Sequence, residues 1–106
     1  MFSIFGKDSF SSISVNDLKD KLEKINLIDV RENYEYKRGH VPTAKNIPMS
    51  TLLANPERYL NKSKIYHMIC QSGERSSRTC KKLSLLGYDV VDILGGTGSY
   101  TQALQE

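Results

Sequence analysis

KIYHMICQSGERSSRTCKKLSLLG (residues 64–87) is the stretch on which the fold turns. Its first seven residues place apolar side chains on both faces of an extended chain. That is the pattern of a strand in a parallel sheet covered by helices on both sides. Its second half puts Thr79, Cys80, Leu83 and Leu86 on one helical stripe and stops at Gly87, a residue suited to ending a helix. Between the two, CQSGER must reverse sharply, and Gly73 permits the positive φ that such a turn needs. The amides of residues 71 to 76 then converge on one point and add to the positive end of the following helix. A cysteine facing that nest is held as a nucleophilic thiolate in a cradle that also receives anions. Arg75 and, further along, Arg78 add positive charge. A thiol with this task is expected to be open to solvent.

Strand and helix signals alternate on either side of this unit. SISVNDLKDKLEKI (residues 12–25) spaces Val15, Leu18, Leu22 and Ile25 as a helix, with Ser14 as its cap and Asp17 as its box partner. NLIDV (26–30) reads as a short buried strand, and NYEYKRGH (33–40) as a helical turn stopped by Gly39. AKNIP (44–48) reads as a second extended piece. Ser50 is placed to cap a short helix over Leu52 and Leu53, and Pro56 to open another that carries Tyr59 and Leu60 inward. DVVDIL (89–94) is a further strand, GGTGS (95–99) a turn, and YTQALQ (100–105) a last short helix. The alternation predicts an α/β fold with a mainly parallel sheet. Sites in such sheets lie at the carboxyl ends of strands, where Cys70 falls.

A chain of 106 residues is one domain, here a tail over residues 1–9 and a domain over 10–106. With 39% hydrophobic and 25% charged residues its composition is that of a soluble globular protein. A net charge of +3 with no dense basic run argues against nucleic acid or membrane as a partner. No stretch approaches the roughly 20 apolar residues of a bilayer span, and the first ten residues do not read as a signal peptide. Two cysteines without export signals point to reduced thiols and a cytoplasmic location. The two cysteines and two histidines form no zinc-like pattern, and no metal or organic cofactor is expected.

A thiolate in an anion cradle serves two chemistries, sulfane-sulfur transfer through a persulfide and phosphate-ester cleavage through a phosphocysteine. Here the whole sequence resembles a single-domain rhodanese of the sulfurtransferase family. LIDVRE (27–32), GHVPTAKNIP (39–48), CQSGERS (70–76), LGYDV (86–90) and LGGTGSY (94–100) resemble that family's signatures in order, over roughly residues 10 to 104. The resemblance implies a five-stranded, mostly parallel sheet flanked by helices on both faces. It implies Cys70 as the nucleophile, with the main-chain amides of the loop binding the anion. Gln71, Ser72, Gly73, Glu74, Arg75 and Ser76 are therefore taken as the binding set. Asp29 of the DVR motif is implied as a support of the active region, and Arg31 as a structural ion pair. The implied partners are a small-molecule sulfur donor and a thiol acceptor, which includes a protein thiol. The six residues from Cys70 to Arg75 make a loop one residue shorter than that of the related phosphatases, which favours sulfur over phosphate. Thr43 stands where the family often has glycine, and Thr97 and Tyr100 stand where it often has tryptophan.

Each of these residues also has a plainer reading. Cys70 as a small core residue is disfavoured by its place before a glycine loop and a helix start. Cys80, on the helix stripe, is expected to pack rather than to resolve a disulfide. Arg75 sits badly at a positive helix end unless an anion is near. Ser72 and Ser76 serve equally well as caps or as donors to sulfur. His67 is expected to be a satisfied core histidine, and His40 to order its turn. The competing functions are a non-catalytic or sulfur-relay binding module and, less favoured, a phosphatase or arsenate reductase.

Overall fold

Strand β4 (Ile65–Ile69) forms where its apolar run predicts, at the centre of a five-stranded sheet. The structure, a computed structural model, describes residues 10–106; the tail expected over residues 1–9 lies outside them. The other strands are β1 (Ser11–Ser14), β2 (Asn26–Asp29), β3 (Lys45–Asn46) and β5 (Asp89–Leu94). Their spatial order is β1-β5-β4-β2-β3, and every pairing is parallel. The helices are α1 (Asn33–Arg38), α2 (Met49–Ala54), α3 (Pro56–Tyr59) and α4 (Glu74–Leu85).

Alternation along the strands sorts side chains into two cores. Tyr66, Met68 and Cys70 of the β4 segment face one way with Val90 of β5, and meet Cys80 and Leu83 of α4 and Leu52 of α2. Ile69 and Ile93 face the other way and pack with Val15, Leu18, Val41 and, partly buried, Tyr36 of α1. Met68, Ile69 and Leu83 are fully buried, so truncating any of them to alanine is worth about 2–5 kcal/mol. Sheet order fixes the site. The chain moves outward from β2 to β3, then returns to β4 and moves outward to β5 in the opposite direction. The reversal falls between β2 and β4, whose carboxyl ends place Asp29 in register with Ile69, the residue before Cys70.

Four expectations need correction. Residues 12–25 do not form one helix: Ser11–Ser14 is an edge strand, followed by two 3-10 turns at Val15–Asp17 and Leu22–Lys24. Val15 and Leu18 are buried as their spacing requires, so the periodicity located the apolar face but not the helix. The Asn16 side chain instead bonds the Ser99 carbonyl at 2.9 Å and the Thr101 amide at 3.0 Å, which pins the segment's first turn to the C-terminal region. Ser14 does cap, accepting from the Asn16 amide rather than forming a box with Asp17. The YTQALQ segment is not helical either. Gln105 and His40 exchange main-chain hydrogen bonds of 2.8 and 2.9 Å, an antiparallel bridge that replaces helical bonding. Helix α2 begins after Pro48, so Ser50 lies inside it rather than at its cap.

Candidate active site

Gly73 adopts φ 109°, the positive value expected of it, and starts α4 directly behind Cys70. The turn aims two main-chain donors at one atom. The Gly73 amide lies 3.1 Å from Cys70 Sγ and the Ser76 amide 3.2 Å. The Ser76 hydroxyl is 3.4 Å from the same sulfur. Both amides come from the turn and first residues of α4 and point at the sulfur. Among the described residues, the amides of Ser72, Glu74 and Arg75 donate to no protein group, so the rim of the nest is free. Ser72 and Glu74 are exposed, and Ser76 is fully buried.

Cys70 itself is 1% exposed, against the expectation of an open thiol. The reason is geometric: its sulfur turns inward beneath the loop, toward the two amides and Ser76. A groove of about 630 Å³ lies alongside, bordered by Arg31, Glu35, Arg38, Gln71 and Tyr100.

The DVR motif supports this loop from β2. The Arg31 guanidinium forms a buried pair with Asp29 at 2.9 Å and donates to the Gly39 carbonyl at 2.8 Å. Its remaining nitrogen reaches Gln71 Oε1 at 3.1 Å. Asp29 and Arg31 therefore hold the GH turn and the active loop together. Arg75 is engaged elsewhere than at the sulfur. It makes a two-pronged pair with Glu35 of α1, at 2.8 and 2.9 Å. That pairing holds the Glu35 carboxyl down at about 2 and raises the Arg75 guanidinium further above its usual range.

Sequence reasoning placed the turn after β5 but gave it no part in holding the loop. Thr97 donates its amide to the Cys70 carbonyl at 2.9 Å, and Gly98 donates to the Gln71 carbonyl at 3.0 Å. Gly96 lies so close that a Cβ would stand 2.5 Å from both carbonyls. With their carbonyls tied to this turn, the first two loop peptides cannot rotate freely. The cluster of glycines in GGTGS was the available signal, since glycine often marks close backbone approach. His67 departs from its expected satisfied state: burial lowers its pKa and, among the described residues, Nδ1 is buried without a partner. Cys80 packs as expected, and burial pushes its thiol well above the ordinary range.

Comparison with known proteins agrees with this architecture. Residues 14–103 match the rhodanese-like domain family. The Bacillus subtilis protein named "Putative sulfurtransferase YtwF" is 41% identical over 87 residues, covering 79% of this chain and 84% of that protein. A second B. subtilis protein, "Putative sulfur carrier protein YrkF", is 30% identical over 97 residues, 88% of this chain, and the match spans about half (52%) of its length. Among solved structures, SSP1007 from Staphylococcus saprophyticus superposes with a TM-score of 0.83 at 32% identity, covering 92% of this chain and all (100%) of that one. A rhodanese-like domain protein from Staphylococcus aureus gives a TM-score of 0.77 at 32% identity, covering 91% and 97%. Its sequence, its parallel sheet and its relatives together place this chain in the rhodanese-like domain family.

Proposed function

We propose that this protein is a sulfurtransferase in which Cys70 carries a sulfane sulfur as a persulfide. The observation that carries the reading is the convergence of the Gly73 and Ser76 amides on the Cys70 sulfur at the end of the central strand. The thiolate attacks the outer sulfur of thiosulfate or of a persulfide donor. With thiosulfate, an S–S bond forms at Cys70, the donor's S–S bond breaks, and sulfite leaves with the electron pair. The free amides of Ser72, Glu74 and Arg75 supply donors for the anion, and Gln71, held by Arg31, orders the mouth of the loop. A thiol, including a protein thiol, or cyanide then attacks the outer sulfur and returns Cys70 to the thiolate. Because the sulfur is covered, the loop must part as the donor enters. The acceptor step needs neither metal nor cofactor, and we assign the protein to the cytoplasm on the strength of its reduced cysteines.

Turnover of thiosulfate and cyanide to thiocyanate and sulfite tests the proposal. Wild type is expected to turn over and Cys70→Ser is not. Absence of turnover with thiosulfate, glutathione persulfide and polysulfide alike leaves the non-catalytic binding module as the better account. Hydrolysis of an aryl phosphate that depends on Cys70 favours a phosphatase, against which the short loop speaks.

A further inference from the structure

Behind the active sulfur lies an acid that the proposed reaction leaves without a task. Asp92 of β5 is 3% exposed, and its Oδ1 is buried without a hydrogen-bond partner among the described residues. It pairs in register with Met68 of β4, two residues before Cys70, so alternation puts Asp92, Met68 and Cys70 on the same face of the sheet, under α4. From α4, Ser76 and Cys80 face it. Ser12 lies opposite it on β1. Burial raises its pKa, while the Ser76 hydroxyl and the Ile93 amide partly offset that rise; among the described residues no cation contributes. A buried carboxyl without a cation is costly as an anion and needs another way to settle its charge.

Ser76 stands between this acid and the nucleophile. Its hydroxyl is 3.4 Å from Cys70 Sγ and lies near the Asp92 carboxyl, to which it makes no hydrogen bond in the resting loop. We infer that Asp92 stores the Cys70 proton, which passes through the Ser76 hydroxyl, so that the two groups share one proton and one negative charge. In one arrangement Cys70 keeps its hydrogen, donating it to Ser76 Oγ, and Ser76 donates to the Asp92 carboxylate. In the other, the thiol proton has moved to Ser76 Oγ and the hydroxyl's own proton to Asp92. The neutral carboxylic acid then donates to Ser76, and Ser76 donates to the thiolate. Charge and protons balance, and no group outside the trio is required. The Gly73 carbonyl, 3.1 Å from Ser76 Oγ, competes for the hydroxyl hydrogen in the resting loop. Asp92 acts here as a positioning residue, through Ser76, and not by touching substrate.

The inference rests on Cys70 being the reactive thiol, but its test does not require sulfur transfer. The Asp92 carboxyl carbon, followed by carbon-13 NMR against pH, reports the shared proton directly. If the two groups share one proton, its titration in wild type should spread over two steps separated by at least about one pH unit. In Cys70→Ser, whose hydroxyl does not ionise, it should collapse to a single step. Ser76→Ala should raise the Asp92 midpoint, and Cys80→Ala should leave the two steps in place. A single identical step in wild type and Cys70→Ser overturns the inference, and that comparison stands even if Ser76→Ala does not fold. Two-step titration in a protein that takes up no sulfur would defeat the proposed function and leave the proton relay intact.

Discussion

Cys70 and Cys80 are buried alike, 1% and 0% exposed, in one apolar cluster, yet their surroundings differ in kind. Cys70 ends a strand and meets two main-chain N–H groups that no helix or sheet bond consumes. Cys80 sits inside α4, whose main-chain donors serve the helix, and burial together with the neighbouring Asp92 drives its thiol up. On the proposed function, depth alone does not silence a thiol. What separates the two is whether oriented donors replace the water that burial removes.

The sharpest way to break this contrast is to exchange the cysteines' fates. Cys70→Ser should lower sulfur transfer by at least about 10³-fold, the scale on which losing a covalent nucleophile is felt. Cys80→Ala should keep transfer within about twofold and cost roughly 1–2 kcal/mol of stability through the small cavity. Thiocyanate assay and urea unfolding read the two effects. Comparable losses of activity in both variants would erase the distinction.

Gly96→Ala attacks the donors' geometry without touching either sulfur. Its Cβ would stand 2.5 Å from the Cys70 and Gln71 carbonyls, at a position with φ 65°. The loop must shift, at a cost of roughly 2–3 kcal/mol, with sulfur transfer falling by about tenfold or more. Unchanged transfer would show that the turn after β5 does not shape the nest.

A control lies far from both cysteines in kind. Thr43 has φ 74°, strained for a β-branched residue, and donates to the Leu22 carbonyl at 3.2 Å. Thr43→Gly should stabilise the protein by about 0.5–1 kcal/mol net, visible as a rise in Tm of a few degrees, with transfer unchanged. A fall in Tm would mean that the hydrogen bond outweighs the strain.

The smallest effect concerns Arg75. The Arg75 guanidinium holds the Glu35 carboxyl at about 2, below the ordinary value of 4.5. A lowered carboxyl contributes stability that is present above 4.5 and lost as pH falls through about 2. Because the pair is partly exposed, Glu35→Gln should cost only about 0.5–1 kcal/mol at neutral pH. The difference from wild type should fade between those two pH values. Acid unfolding midpoints that coincide throughout would show the pair to be energetically silent.

The central unit was legible because β4, Gly73 and α4 each follow from local rules: a two-faced apolar run, a residue free to take positive φ, and a stripe ended by Gly87. The sheet, the family and the position of Cys70 followed from the order of short motifs. The segment from Ser12 to Ile25 was misread as a helix because apolar spacing reports which residues are buried, and 3-10 turns bury the same ones. The C-terminal segment was misread because a bridge between His40 and Gln105 leaves no local trace. Glu35 and Arg75 lie forty residues apart and the turn around Gly96 far from the loop that it holds. The inward rotation of the Cys70 sulfur was equally invisible, since it depends on where α4 begins in three dimensions.

Mass analysis of the intact protein after incubation with thiosulfate, with the peptide containing Cys70 resolved from that containing Cys80, tests the central claim most directly. A gain of one sulfur on the Cys70 peptide, removed by cyanide and absent in Cys70→Ser, is the predicted result. No gain at Cys70, or equal gain in Cys70→Ser, would contradict it.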